Sequence, residues 1–371
     1  MVGYPIRFPS IEVLTIGAGG GSLAWIDQAG SLHNGPQSAG SDPGPACYPN
    51  GGAKPTNTDA NIVLGRLGNS LANGRVVLSQ QKAADAIDEV IGKPLGLGTE
   101  DAAQAIVSVA NANMSDAIRL ISVSRGYDPR DFVLVAMGGA GALHSVALAK
   151  DLAIPTVLVP PSPGVAAALG CLLVDIRHDY SHSYLRSIDE ASPEEIEAAF
   201  REMEKRARAQ LASEGVSPKD MVLSRTSDMM YQGQWRSMQI SVAPHLTELE
   251  SLAERFHKNH EREYAYRRDD APIDLFALNV QAVGVVPKAQ FKERRGGNKK
   301  PKPLATRMVR FDETDHKIET PIYEHADFAA DSTVSGPAIL ELPDSTVIVP
   351  PGTRAEIDKW SNTHIRILGD A

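Results

Sequence analysis

The chain is poor in cysteine, in long apolar runs and in excess positive charge, and each shortage removes a class of protein. Its 371 residues hold two cysteines, Cys47 and Cys171, far apart and without ligand-type spacing. A disulfide framework and a zinc–cysteine site are therefore not expected, and a reduced, cytoplasmic setting fits best. No run approaches the roughly 18 apolar residues of a membrane-spanning helix, and the first residues have neither a basic start nor an apolar core of a signal peptide. The formal net charge of −9 argues against a general binder of nucleic acid or membrane surfaces. What is present is an apolar content of 42%, ample for a core, over a length that suggests roughly two to three domains.

The most informative stretch is 132–144. Residues 132–137 read as a short buried strand, Gly138, Gly139, Ala140 and Gly141 as a tight turn, and 143–152 as a helix. A strand, a glycine turn and a helix start direct backbone N–H groups at one point and let a ligand approach the main chain. That suits an anion or the sugar–phosphate part of a nucleotide; a βα turn with no ligand is the plain alternative. A second unit follows, a strand at 154–159 and a small-residue helix at 165–175, with Ala166 to Gly170 suited to close packing on a sheet. Repeated βα units imply an α/β layer.

Upstream, 11–16 reads as a strand running into Gly19, Gly20 and Gly21, so that a domain looks entered in its middle. Residues 23–27 and 31–35 form an expected hairpin about a turn at 28–30. The turn-rich loop 38–48, with Asp42 before Pro43, reads either as a packed Ω-loop or as a loop that shapes a site. Thr58 is the expected N-cap of a helix to Leu67, with Asp59 in its first turn. Helices are expected over 79–91 and from Thr99 to about Val123, the latter with Ala102, Ile106, Val109, Ala110, Met114, Ala117 and Ile121 as its apolar face. Asn111 and Asn113 within it suggest bonding to a neighbouring loop.

Beyond about 177 the pattern changes. Ser192, Pro193 and Glu195 make a helix start, and an apolar stripe runs from Ile196 to Leu211 before Gly215. Strands at 224–231 and 237–242, a helix marked by Leu252 and Phe256, a long strand at 275–286 and further strands to Leu368 complete an α+β half. His257 and His260 read as surface or core-edge residues, and the basic segment 292–303 as an exposed loop.

The runs TIGAGGGSLAWID, GPQSAGSDPGPACY, PTNTDANIVLGRL, VANANMSDAIR, RGYDPRDFVLVAMGGAGALH, SPGVAAALGCLLVDIRHDY, YQGQW, FHKNHEREYAY and GPAILELPDSTVIVPPG resemble the hydantoinase A/oxoprolinase family. The match is collinear over essentially the whole chain. The family includes ATP-dependent hydantoinases, 5-oxoprolinases and the ATP-using subunits of acetone and acetophenone carboxylases. The resemblance implies an α/β fold, the second lobe of an actin-like ATPase over 1–178, followed by a smaller α+β domain over 179–371. Members are about twice this long, and their front half carries two phosphate-binding DxGGT segments that are not found here. The resemblance therefore implies a split enzyme whose partner chain brings that half, or a truncated product that by itself binds ATP weakly and does not hydrolyse it.

By the same resemblance the complete enzyme uses ATP, with Mg2+ or Mn2+, to open cyclic amides by phosphorylating the carbonyl. The alternatives are an ATP-dependent ketone carboxylase subunit and a non-catalytic scaffold subunit. Expected partners are the chain with the missing half, a hydantoinase B-type subunit and a small-molecule substrate, with no nucleic acid and no membrane. Gly138, Gly139, Ala140 and Gly141 are expected at the nucleotide's ribose or adenine side, and Gly19, Gly20 and Gly21 beside phosphates or substrate. Asp42, Asp59 and His144 are the candidate catalytic groups; each has a plain alternative, as a turn residue, a first-turn helix residue and a satisfied helix histidine. No metal ligands are assigned. Without the front half, the 132–160 sheet edge should be left unpaired.

Overall fold

A computed structural model describes residues 13–71, 74–297 and 301–368. Its fold is mixed α/β with several sheets. The first hairpin, β1 (Ser22–Ile26) and β2 (Leu32–Ser38), forms as the alternation of the sequence predicts, about a turn closed by Asp27. Residues 11 and 12 of the expected first strand lie outside the described residues, and 13–16 have no regular structure. Helix α1 (Asn57–Val63) follows, every residue of it buried. Its N-cap is Thr56, not Thr58: Thr56 and Asp59 form the reciprocal capping box, which leaves the Thr58 hydroxyl, at the second helical position, to donate elsewhere.

A small ribbon, β3 (Ser70–Leu71) and β4 (Val76–Val77), precedes α2 (Gln80–Ile87), a π-helical turn at 88–92 and the short α3 (Lys93–Leu95). The long α4 (Thr99–Ile121) starts one residue earlier than a Thr99 cap would require, with Gly98 as its N-cap. Its buried face is rotated toward Ala103 and Val107, and Ile121 is exposed. Asn113 bonds the carbonyl of Asn34 on β2 and Asn111 bonds His144, as two asparagines within a helix suggest.

Strand β5 (Val133–Val135) runs through the glycine turn into α5 (Gly141–Asp151), and β6 (Thr156–Val159) into α6 (Ala166–Cys171). Two expectations fail here. The 132–137 run is buried only in part: Ala136 is buried, but Val133, Val135 and Met137 are each about half exposed, because β5 is the edge of its sheet and, among the described residues, nothing covers that face. The helix expected over 165–175 ends at Cys171 and buries none of its residues, so its small side chains do not serve close packing.

Next come β7 (Ile176–Ser187), α7 (Pro193–Ser213), β8 (Met221–Tyr231), β9 (Met238–Val242), α8 (Glu250–Tyr264) and β10 (Ile273–Gly284). The four strands form one antiparallel sheet in the order β7-β10-β8-β9. The stripe Ile196, Phe200, Met203 of α7 shares a core with Leu252 and Phe256 of α8 and with alternate residues of β8 and β10. His257 and His260 are buried in that core: the first bonds the Tyr231 hydroxyl, the second the Tyr266 carbonyl.

The last part is β11 (Ala305–Val309), β12 (Ile318–Glu324), β13 (Thr333–Ser335), β14 (Ala338–Glu341), β15 (Thr346–Val349), β16 (Thr353–Ile357) and β17 (Thr363–Ile367). One sheet runs β11-β12-β14-β15. Another, β13-β16-β17-β6-β5, joins this segment to the earlier βα units through antiparallel pairing of β17 with β6, while β5 and β6 are parallel. The chain thus divides into two compact units, Met1–Ala168 with Phe291–Ala371, and Leu169–Gln290. Residues 291–371 share hydrogen bonds and core with the first unit.

Candidate functional site

In the first unit, a cleft of about 500 Å³ collects segments that lie far apart in sequence, several of them bearing glycine. Its walls include Gly20 and Gly21 ahead of β1, Gly40 in the loop after β2, Gly139 and Ala140 at the start of α5, and the turn Asp344–Ser345 between β14 and β15. Gly138 turns with φ of +82°, a conformation that a side chain resists, and so brings the chain from β5 into α5. Ala140, the N-cap, carries no capping side chain. The positive end of this 11-residue helix is thus presented without a protein oxygen from its own cap.

The Gly19–Gly21 turn is tied to α1. Asn57 donates to the Gly19 carbonyl (2.8 Å), and the Thr58 hydroxyl and amide both donate to the Gly20 carbonyl (2.9 Å). The Gly21 carbonyl accepts from Ala39. All three carbonyls are committed to the protein, which removes their repulsion toward an anionic ligand. On the opposite wall the Asp344 turn is seated in the βα turns. Asp344 Oδ2 accepts from the Gly164 amide (2.8 Å), and Ser345 donates to the Gly139 carbonyl (3.1 Å). A Cβ on Gly164 would come within 2.9 Å of Asp344 Oδ2, so this seat requires glycine.

The cleft is acidic on that side. Glu324 and Glu341 line it with Asp344; Arg307 Nη2 donates to Glu341 Oε1 at 2.9 Å. Burial, then the neighbouring Glu341 and Asp327 charges, raises the Glu324 carboxyl above the usual range. The remaining wall is apolar, from Leu67, Leu71, Val76 and Leu143. The lining thus combines glycine turns and a helix start with carboxylates and apolar side chains, and the Asp344–Ser345 turn lies against the Gly139 turn.

The predicted site residues separate into two groups. Gly20, Gly21, Gly139 and Ala140 line the cleft, and Gly19, Gly138 and Gly141 adjoin them in the same turns. The three candidate catalytic groups are not among the lining residues. Asp42 sits exposed before Pro43. Asp59 is fully buried: Oδ1 accepts from the Cys47 amide (2.7 Å), and Oδ2 from the amides of Ala46 (3.1 Å) and Thr56 (2.8 Å) and from the Thr56 hydroxyl (2.8 Å). Those bonds pin the loop 38–48 to α1 at Ala46 and Cys47, while Gly40, Pro45 and Tyr48 of the same loop line the cleft. Burial, then the Asp59 charge, pushes the Cys47 thiol up and keeps it protonated.

His144 is 3% exposed and faces away from the cleft's lining, toward α4. Its Nδ1 lies 2.8 Å from Asn111 Oδ1, an acceptor, so Nδ1 carries the proton and Nε2 is bare. Burial, then the Arg66 charge, lowers its pKa to about 4, with Asp312 opposing. Arg66 itself is held by Asp312 Oδ1 (2.6 Å), Gln104 and the Arg310 carbonyl. His144 is thus neutral, bonded at Nδ1 and without a hydrogen-bond partner at its buried Nε2 among the described residues.

Sequence reasoning missed Asn61, Glu324, Glu341 and Asp344 as cleft residues. Their signal was present: TDAN and LPDST put polar residues beside strongly apolar runs, but nothing in a sequence brings positions 61 and 344 together. Among the described residues, no group of three or more His, Cys, Asp or Glu is arranged to hold a metal ion. No helix among them is long and apolar enough to cross a membrane.

Comparison with known proteins places this arrangement. The hydantoinase/oxoprolinase family model matches residues 1–180, and the model of the hydantoinase/oxoprolinase C-terminal domain matches 186–368. An uncharacterized protein of Methanocaldococcus jannaschii is 41% identical over 96% of this chain and 51% of its own length. The caprolactamase subunit alpha of Pseudomonas jessenii is 34% identical over 96% of this chain and 52% of its own. Among solved structures, nucleotide-free acetone carboxylase superposes with a TM-score of 0.87 at 25% identity, over 95% of this chain and 52% of the other. The ATP-dependent caprolactamase of Pseudomonas jessenii superposes with a TM-score of 0.71 at 32% identity, over 97% and 53%. The chain spans about half the length of the curated relatives it matches. With both models matched in order and a relative 41% identical along nearly its whole length, the chain belongs to the hydantoinase/oxoprolinase family.

Proposed function

We propose that this chain supplies the nucleoside-binding part of an ATP-dependent enzyme that activates a carbonyl by phosphorylation, with a cyclic amide as substrate. The observation that carries the reading is the convergence of the Gly20–Gly21 turn and the Gly139–Ala140 helix start on one cleft. The glycine turns and the helix start suit the phosphate side of a nucleotide, and the apolar residues Leu67, Leu71, Val76 and Leu143 suit its base. The fold reading that goes with this is the second lobe of an actin-like ATPase.

When bound, ATP supplies the γ-phosphoryl group, which converts a carbonyl oxygen into a leaving phosphate; ring opening then consumes two waters and yields ADP, phosphate and the open-chain acid. This chain's residues bind and orient: Thr58 and Asn57 hold the Gly19–Gly21 turn, Ser345 holds Gly139, and Asp59 and Thr56 fix α1 beneath them. Asp59 and His144 are thereby positioning residues. Among the described residues no group of three or more His, Cys, Asp or Glu is arranged to hold a metal ion, and in this reading the ion arrives on the phosphates. The DxGGT-type segments that the family resemblance implies would complete the site, together with a hydantoinase B-type subunit for the second step.

A ketone carboxylase role is the second reading, favoured by the higher TM-score with acetone carboxylase and by 35% identity to the acetophenone carboxylase gamma subunit of Aromatoleum aromaticum. Purification of the chain with its native associates, followed by ATP turnover assays with hydantoin, 5-oxoproline or caprolactam, and with acetone or acetophenone plus bicarbonate, separates the two. Turnover stimulated by a cyclic amide supports the first reading. Stimulation only by a ketone with bicarbonate replaces it with the second, and no ATP turnover with any substrate overturns both.

A further inference from the structure

Two side-chain oxygens at the cleft are buried and have no hydrogen-bond partner among the described residues: Asn61 Oδ1 and Asp344 Oδ1. Unsatisfied buried acceptors are uncommon, since each costs the hydration it has lost. Both belong to residues whose other polar atom is committed. Asn61 Nδ2 donates to the Asn57 carbonyl at 2.8 Å, which fixes the amide's orientation and leaves its oxygen as the unused atom. Asp344 Oδ2 is taken by the Gly164 amide. Asn61 is 1% exposed, so its oxygen has no access to bulk water in place of a partner. The two residues come from different elements, α1 and the β14–β15 turn, and both line the same cleft.

We infer that Asn61 Oδ1 and Asp344 Oδ1 are the pair of acceptors that recognise the donor groups of the bound nucleoside, its ribose hydroxyls or its exocyclic amine. The inference rests on the reading of the cleft as a nucleotide site and names the residues that give it selectivity. Two acceptors, one of them anionic, reject phosphate oxygens and carboxylates and admit O–H and N–H groups. A carboxylate fixed through one oxygen presents the other to a hydroxyl at no further ordering cost.

Ligand-observed NMR on the full chain tests this with nucleosides alone, which need no phosphate-binding segments. The probes are adenosine, 2′-deoxyadenosine, 3′-deoxyadenosine and inosine; the variants are Asn61→Leu and Asp344→Asn. The expected result is adenosine binding that weakens about tenfold in each variant. Wild type should also lose about that factor on at least one analogue. The variant whose acceptor served the missing donor should show no further loss on that analogue, which separates a direct contact from a general unfolding effect. Loss on the deoxynucleosides identifies the hydroxyls as the recognised donors; loss on inosine identifies the amine. If wild type and both variants bind adenosine within twofold of one another, or if wild type does not discriminate among the four probes, the inference is overturned while the nucleotide reading stands. If wild type binds none of them, the nucleotide reading fails and takes the inference with it.

Discussion

At the scale of single residues, Asp59 and His144 make hydrogen bonds that hold elements of the fold together. Asp59 accepts four hydrogen bonds, all from groups that can only be donors or are already oriented as donors. Asp59→Asn would turn an NH2 group toward backbone amides, and is expected to cost about 2–4 kcal/mol, nearly as much as Asp59→Ala. Urea unfolding measures this, and a loss below about 0.5 kcal/mol would contradict the assignment. His144 gives a pH signature. Its folded pKa of about 4 lies below the unfolded value, so the unfolded chain binds the extra proton between about pH 6.5 and 4. Stability is therefore intact above that window and falls as pH drops through it, by on the order of 3 kcal/mol for this one group. His325, lowered to about 4 by burial and then by Arg294, acts in the same direction. His144→Gln keeps a donor for Asn111 and does not titrate, so its melting temperature should fall less between pH 7 and 5 than that of wild type. An unchanged slope would show that the imidazole does not report the transition. The residue types at these positions were legible in the sequence; the direction each side chain faces was not, because a capping aspartate and a catalytic one have the same local pattern.

At the scale of elements, legibility followed local information. The hairpin, α7 with its Ser192 cap, and the glycine turn into α5 are set by neighbouring residues, and they form where the sequence predicts. Thr56 takes the cap from Thr58 because Asp59 can reach back to the Thr56 amide, closing the box three residues ahead of itself. What the sequence could not show was coverage. The run at 132–137 is apolar enough to be buried on both faces, yet Val133 and Val135 are about half exposed on one of them while Leu134 turns toward the core. Among the described residues, strand β5 has a neighbour only on its β6 side. An apolar edge of this kind pairs with other chains. The isolated chain is expected to self-associate at micromolar concentration, and Val135→Lys to reduce that association, since a lysine on an exposed edge face opposes pairing without disturbing Leu134. Sedimentation velocity on both proteins decides it: a wild type that remains monomeric at high concentration would show that the edge is protected.

At the scale of the whole molecule, the chain leaves one compact unit near Ala168 and returns to it near Phe291, and each unit has cores of its own. No single position announces this in the sequence. The return depends on β17 pairing with β6 across some two hundred residues, and long-range pairing leaves no local trace. Separate cores imply separable stability. Phe200 is fully buried in the core of the Leu169–Gln290 unit, and Phe200→Ala should cost about 3–5 kcal/mol there. The cleft lies wholly in the other unit. A nucleoside bound there at a hundredfold its Kd should stabilise that unit by about 2.7 kcal/mol and leave the other unmoved. Differential scanning calorimetry on wild type and Phe200→Ala, each with and without adenosine, should then resolve two transitions, one moved by the mutation and the other by the ligand. A single transition that both perturbations shift together would mean that the units unfold as one cooperative block, so that binding at the cleft is coupled to the stability of residues that do not touch it.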